Sequence, residues 1–115
     1  MLVDISKGEL IDKITILEIK LEKIKDETRL NNIRHEYDIL KELEFETPYK
    51  EELRKVNTII WDVEERLREL EKTDTFNDEF IDKARMVYVY NDDRARIKKI
   101  INLESGSDII EEKSY

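Results

Sequence analysis

The chain has 115 residues, a usual length for one domain with one hydrophobic core. Because it has no cysteine, disulfides and thiolate zinc sites are excluded and a reducing, cytoplasmic location is expected. Acidic side chains outnumber basic ones 29 to 21, and the net charge of −8 makes general nucleic-acid binding unexpected. The start has no signal-peptide pattern and no run of eighteen apolar residues occurs, so neither secretion nor a membrane span is expected.

The first predicted helix begins after a capping box formed by Ser6 and Glu9 and runs from about 7 to 26. Its apolar residues alternate steps of four and three, as in a coiled coil: Leu10, Ile14, Leu17, Leu21 and Ile24. After Ile24, the next apolar residues no longer continue the spacing of this helical face. A tight turn is therefore expected around 26 to 29, with Asp26 or Thr28 capping the next helix.

The second predicted helix ends near Glu44. Thr47 is expected to cap the third helix, with Pro48 at its first position, where a missing N–H costs nothing. This helix has the most regular apolar spacing in the chain, at Leu53, Val56, Ile60, Val63, Leu67 and Leu70.

The fourth predicted helix is capped by Asn77 and stops at Ser105–Gly106, because glycine tolerates the left-handed conformation that ends helices. Residues 107–115 form a short tail in which Ile109 and Ile110 are able to dock. Four helices with short connections predict one all-α domain over residues 1–115. Its expected form is an antiparallel four-helix bundle or two packed long α-hairpins, with more than half of the chain helical.

Catalytic triads built on imidazole and histidine-rich metal sites are not expected, because His35 is the only histidine. His35 itself is expected at the surface or its boundary. A chorismate-mutase-like helical enzyme is an alternative supported only by length and helicity. Cofactors are not expected.

Carboxylates offer another route, since all-α nucleotide pyrophosphatases hold magnesium between acidic residues of two helices. Glu64 and Glu65 could face Glu79 and Asp82, which share one helical face. In so acidic a chain such pairs arise by chance, and Arg68 stands where a third acid is expected. These four residues are weak metal candidates, and no metal site is predicted.

Polar residues interrupt the apolar stripe of the fourth helix. Continuing Phe80, Ala84 and Val87 by heptad steps reaches Asn91, Arg94 and Lys98 before Ile101. Polar groups at such positions are costly unless paired, so they either specify register or line a cleft that binds something.

Residue counting along an antiparallel pair predicts what Arg94 meets. If Leu10 is level with Ile101, then Glu18 lies opposite position 93, within one residue of Arg94, and the two side chains are expected to meet. Asn57 reaches the same level, with Asn91 one turn away. The basic run from 94 to 99 could receive phosphate, although cations are favoured near a helix C-terminus in any case.

Three stretches, SKGELIDKITILEIKLEKI, VNTIIWDVEERLRELE and YNDDRARIKKIINLESGSDIIEEKSY, resemble a small uncharacterised bacterial and phage family, domain of unknown function 6165. The resemblance covers nearly the whole chain and brings no established activity or cofactor. It directs attention to Lys13, Thr15, Glu18, Asn91, Arg94 and the terminal EEKSY. Together with the polar residues that interrupt the apolar stripe of the fourth helix, the resemblance gives a candidate polar cluster of Lys13, Thr15, Glu18, Asn57, Asn91, Arg94 and Lys98.

The leading functional hypothesis is a non-enzymatic helical interaction or scaffold module that binds itself or a partner protein. Apolar residues off the main stripes, such as Ile16, Ile19 and Ile59, motivate the self-association, because one face of each helix is enough for a bundle. The alternative is a small all-α enzyme acting on an anionic metabolite or nucleotide, similar to a magnesium-dependent hydrolase. A link to surface-polysaccharide metabolism belongs to that alternative.

Overall fold

The computed structural model describes residues 3–107. They form four helices, α1 (Lys7–Lys23), α2 (Glu27–Lys41), α3 (Lys50–Lys72) and α4 (Asp78–Ser105). These hold 79% of the described residues, which include no strand, so the predicted all-α class and high helix content are confirmed. Within residues 3–107, no helix is long and apolar enough to cross a membrane.

Short polar side chains begin three of the helices as the sequence predicts. Ser6 accepts a hydrogen bond from the Glu9 N–H, Asp26 accepts two at the start of α2, and Asn77 accepts one at the start of α4. At the other end of α4, Gly106 has φ 70°, the left-handed conformation that ends a helix.

Three predicted boundaries are wrong by a few residues. Helix α1 ends at Lys23 rather than near 26, because Ile24 is already extended, and α2 ends at Lys41 rather than near Glu44. Helix α3 begins at Lys50, so Pro48 is not its first residue. The Thr47 hydroxyl accepts from the Tyr49 N–H and closes a turn before the helix instead of capping it.

The structure describes only Ser107 of the tail expected over residues 107–115. The Ser107 hydroxyl accepts a hydrogen bond from the Lys7 N–H. Ile109, Ile110 and the terminal EEKSY lie outside the described residues.

Helix α1 lies at the centre of the molecule. It packs against α2, α3 and α4, whereas the backbone of α2, within the described part of the chain, comes close to α1 alone among the helices. A helix with three neighbours must be apolar on more than one face. Ile19 is accordingly buried within the protomer, and its position off the main stripe is not a sign of self-association.

The main core lies where α1 packs between α3 and α4, a region called the base below. Its buried members are Ile11, Leu53, Val56, Ile60, Ile97 and Ile101. Beyond the base, α3 and α4 continue as an antiparallel pair, the distal hairpin (residues 63–92), which buries Val63 and Leu70. Arg66 binds Glu79 there through two hydrogen bonds and joins the two helices near their turn.

Candidate functional site

A buried carboxylate joins three helices at the base. Asp12 of α1 has no exposed surface, and its Oδ1 accepts hydrogen bonds from Asn57 Nδ2 of α3 and Arg94 Nε of α4, each at 2.9 Å. Its Oδ2 accepts from Arg94 Nη2. Thr15 completes the network, because its hydroxyl accepts from Asn57 at 2.9 Å and donates to the Asp12 carbonyl at 2.7 Å.

The electrostatics of this network favour the ionised pair. The hydrogen bond to Asp12 raises the pKa of Arg94 above its ordinary value, although burial opposes the shift. Arg94 presents both Nε and Nη2 to the carboxylate, the two-pronged geometry that makes arginine the strongest partner for an acid. Because Asp12 is fully buried, a solute reaches its carboxylate only if α1 and α4 separate. The arrangement holds three helices together, with the Asp12 carboxylate buried and the Arg94 side chain 30% exposed.

Helices α1 and α4 also approach closely next to this network. The Gly8 N–H donates to Asn102 Oδ1 at 2.6 Å, and a Cβ added to Gly8 would lie 2.4 Å from the Lys98 carbonyl oxygen. The Lys98 ammonium pairs with Glu9 at 2.5 Å. Gly8 therefore lets the backbones of two helices approach as a larger residue could not.

The predicted contact between Glu18 and Arg94 is wrong, because Arg94 binds Asp12. The observed contacts place Glu9 beside Lys98 and Asp12 beside Arg94, about one helical turn away from the register assumed in the counting. The contact of Gly8 with Lys98 and Asn102 fixes this register.

Glu18 instead lies in a second polar cluster, between α1, α2 and α3. Its Oε2 accepts from the Tyr37 hydroxyl at 3.1 Å and from Lys50 Nζ at 3.0 Å, and Arg54 lies 3.7 Å from its Oε1. Lys50 also pairs with Glu44 at 2.7 Å. Burial lowers the pKa of Lys50, but its hydrogen bonds to Glu44 and Glu18 outweigh burial, and the pKa lies above its ordinary value.

An open groove of about 770 Å³ lies over this second cluster and is lined by residues of α1, α2, α3 and the segment between α2 and α3. Its lining residues are Glu18, Leu21, Glu22, Tyr37, Thr47, Pro48, Lys50, Glu51 and Arg54. Both cations in the groove have carboxylate partners, since Arg54 also pairs with Glu22. An anionic ligand would bind here only by replacing those carboxylates.

The seven residues of the candidate polar cluster are therefore divided among different surroundings. Thr15, Asn57 and Arg94 meet at Asp12, whereas Glu18 lies in the groove. Lys98 pairs with Glu9, exposed Lys13 lies 3.9 Å from the same carboxylate, and Asn91 is half-buried on α4.

The weak metal candidates are also dispersed. Glu79 accepts two hydrogen bonds from Arg66 at 2.8 and 2.9 Å, and the bonding to Arg66 lowers the pKa of the Glu79 carboxyl. Glu65 is bound by Arg68 of its own helix. Among residues 3–107, no three histidine, cysteine, aspartate or glutamate side chains are grouped to hold a metal ion. His35 is exposed, as expected.

Sequence reasoning missed Gly8, Asp12 and Asn102. A signal for Asp12 was present, because it lies two helical turns before the off-stripe Ile19 and therefore on the same face of the helix. An acid on a second apolar face of a helix is buried when that face is covered, and it then needs a cation from a neighbouring helix.

The fold and its polar clusters define a small all-α protein whose buried charges bind one another. Residues 1–115 match the model of the family of unknown function DUF6165, so the chain belongs to this family and the resemblance seen in the sequence is confirmed. Comparisons with curated proteins and with solved structures gave no match.

Proposed function

We propose that this protein is a non-enzymatic helical interaction module that self-associates through the outer face of α4. One observation carries the proposal. The buried residues of α4 are Ile97, Ile101 and Asn102, all in the part of the helix nearest the base. The larger part of a 28-residue helix thus has apolar side chains but no fully buried residue.

Three large apolar side chains within residues 81–89 of α4 are mostly exposed. Tyr88 is 72% exposed, Val89 is 59% exposed, and Ile81 lies two turns before Tyr88 with 53% of its surface exposed. Single exposed apolar residues are common on any protein, but a contiguous group on one helix is typical of an interaction surface. Burying these side chains against another helix would supply the driving force for association.

The polar clusters also support this proposal, because their cations are already paired with carboxylates of the same chain. Arg94, Lys98 and Lys50, the partly buried candidates for binding an anion, each bind carboxylates of this chain. The pairs of Arg94 with Asp12 and of Lys98 with Glu9 account for two of the three polar residues of the α4 stripe within the protomer, so these two residues do not require a substrate.

The oligomeric mass tests the proposal. Light scattering is expected to give a dimer at high micromolar concentration and a smaller mass on dilution. Tyr88→Glu is expected to give a monomer, because it places a charge in the apolar patch. Ile39→Glu is the matched control, since Ile39 is 54% exposed on α2, and it should leave the dimer intact. A monomeric native chain at high micromolar concentration would contradict the proposal.

A second candidate function rests on the open groove at Glu18. Lys50 and Arg54 there could bind an anionic metabolite if it displaced Glu44 or Glu22. This alternative predicts that phosphate, a nucleotide or magnesium raises the melting temperature, since a ligand that binds only the folded state stabilises it. The interaction module predicts no such shift, and Lys50→Met should leave its dimer unchanged.

A further inference from the structure

A pocket of about 550 Å³, called the Trp61 pocket below, is lined by residues between 23 and 29 and by α3 residues from Trp61 to Arg68. Its volume falls in the usual range for sites that hold a small molecule. Such sites are mostly apolar, but seven of the nine residues that line this one are charged, four of them cations and three carboxylates. The lining therefore suits a charged ligand and carries one net positive charge.

The three carboxylates of the Trp61 pocket already have partners within the protomer. Asp26 caps α2 by accepting two backbone N–H groups of its first turn. Asp62 pairs with Lys23 at 3.4 Å, and Glu65 pairs with Arg68 at 3.0 Å. These contacts use every carboxylate of the lining but only two of its four cations.

Lys25 and Arg29 are the other two cations, and both are exposed. Within residues 3–107, neither side chain forms an ion pair or a hydrogen bond. In the groove at Glu18, by contrast, Lys50 and Arg54 are paired with carboxylates. An anion that enters the Trp61 pocket displaces only water from these two cations, whereas one that enters the groove must displace a carboxylate.

Trp61, the single tryptophan of the chain, adds an aromatic side chain to this pocket. It is half-buried, and across the described part of the chain its indole N–H donates no hydrogen bond and its ring contacts no other ring or cation. An indole usually finds a partner for its N–H when it is buried, and its face favours other aromatic rings. Trp61 therefore offers a surface that a ring of the ligand can cover.

The charge of the lining selects the charge of the ligand. One net positive charge matches a single carboxylate, whose two oxygens fit the paired N–H groups of the Arg29 guanidinium. A phosphate ester carries about two negative charges, and the chain as a whole, with its net charge of −8, repels such a dianion more strongly than a monoanion.

We infer that the Trp61 pocket binds a small aromatic carboxylate, with its ring against Trp61 and its carboxylate between Lys25 and Arg29. The inference goes beyond the proposed self-association and does not rest on it, because no residue of α4 lines this pocket. It gives the interaction module a ligand site on a different part of its surface.

Benzoate is the simplest probe of this kind. In a proton–nitrogen NMR spectrum the chain gives one indole N–H signal, that of Trp61, and benzoate should shift it saturably. Acetate has the charge without the ring, and benzyl alcohol has the ring without the charge. Each should bind about tenfold more weakly than benzoate, because each lacks one of the two contacts.

Two variants remove the cations singly. Arg29→Gln and Lys25→Gln should each weaken benzoate binding about tenfold, as expected for the loss of a hydrogen bond to a charged group. Neither side chain has a partner within residues 3–107, so thermal unfolding of both variants should match that of the native chain. Arg34→Gln is the matched control and should bind benzoate normally, because Arg34 is exposed on α2 but does not line the pocket.

Four results would overturn the inference. An indole signal that benzoate does not move would exclude the site, and equal affinity in Arg29→Gln, Lys25→Gln and Arg34→Gln would place the benzoate elsewhere. A loss of benzoate binding in Lys50→Met would assign it to the groove at Glu18. Inorganic phosphate that shifts the indole signal at lower concentration than benzoate would show that the pocket selects a dianion. The oligomeric mass tests the proposed function separately from all four.

Discussion

The two ends of α4 differ in what covers them. Near the base, Ile97 and Ile101 are almost fully buried, because α1 packs against them together with α3. Toward its start, Tyr88 and Val89 belong to the same helix and are mostly exposed. The segment toward the start of α4 is not poorer in apolar residues than the segment at the base, so the burial of an apolar residue depends here on how many neighbouring helices its segment has.

The comparison also explains where charge is stabilising. At the base, Arg94 and Asp12 form a buried pair that a third residue, Asn57, completes. In the distal hairpin, the similar pair of Arg66 and Glu79 is about two-fifths exposed. Removing one partner should be costly in the first pair, because it leaves a buried charge without a counterion, and mild in the second.

The largest effect is expected from Arg94→Ala. It leaves the Asp12 carboxylate buried without its cation, and the free energy of unfolding should fall by about 3–5 kcal/mol. Arg96→Ala is the matched control on the same helix, because Arg96 forms exposed ion pairs with Glu52 and Asp93, and it should cost less than about 1 kcal/mol.

Urea denaturation measures both variants. The double variant Asp12→Ala/Arg94→Ala should be less destabilised than the sum of its single changes, since it removes the buried charge together with its partner. Equal costs for Arg94→Ala and Arg96→Ala would contradict a buried network at the base.

Gly8→Ala should have the next largest effect, about 1–3 kcal/mol, because the added methyl group overlaps the Lys98 carbonyl and forces α1 away from α4. The contact between Asp12 of α1 and Arg94 of α4 should loosen as a result. Gly106 is the contrasting position, since nothing lies within 4 Å of a Cβ added there and a substitution is opposed only by its φ of 70°. Thermal unfolding of Gly8→Ala that matches the native curve would show that the close approach is absent.

A smaller effect is expected from acid on the distal hairpin. Arg66 lowers the pKa of Glu79, so this pair contributes stability above the ordinary glutamate pKa of about 4.3 and loses it as the pH falls through the lower folded value. Amide signals near residues 66–79 should therefore weaken below about pH 4 in the native chain. Glu79→Gln should remove that pH dependence, and its persistence would assign it to other carboxylates.

The local features of the fold could be predicted from the sequence because they depend on neighbouring residues. Ser6, Asp26 and Asn77 cap helices through their own side chains, and the stripe from Leu53 to Leu70 faces the interior almost throughout. Thr47 shows the limit of this reasoning. Its hydroxyl closes a turn instead of capping a helix, and both structures use the same residue type.

The partners of the polar residues could not be predicted in the same way. Counting from the helix ends set Glu18 opposite Arg94, but a contact at Gly8 sets the real register, and the sequence does not reveal which glycine allows two helices to approach. The interpretation of Ile19 as an apolar residue beyond what the bundle needs was wrong for a related reason. Its burial depends on α1 having three neighbours, which is a property of the assembled fold.

Hydrogen exchange measured at low and high protein concentration tests the central claim most directly. The account predicts that amides of α4 between 81 and 92 are weakly protected in dilute protein and gain protection as the concentration rises into the dimer range. Amides around Ile97 and Ile101 should be well protected at both concentrations. Protection of residues 81–92 that does not change with concentration would show that no second copy covers the outer face of α4.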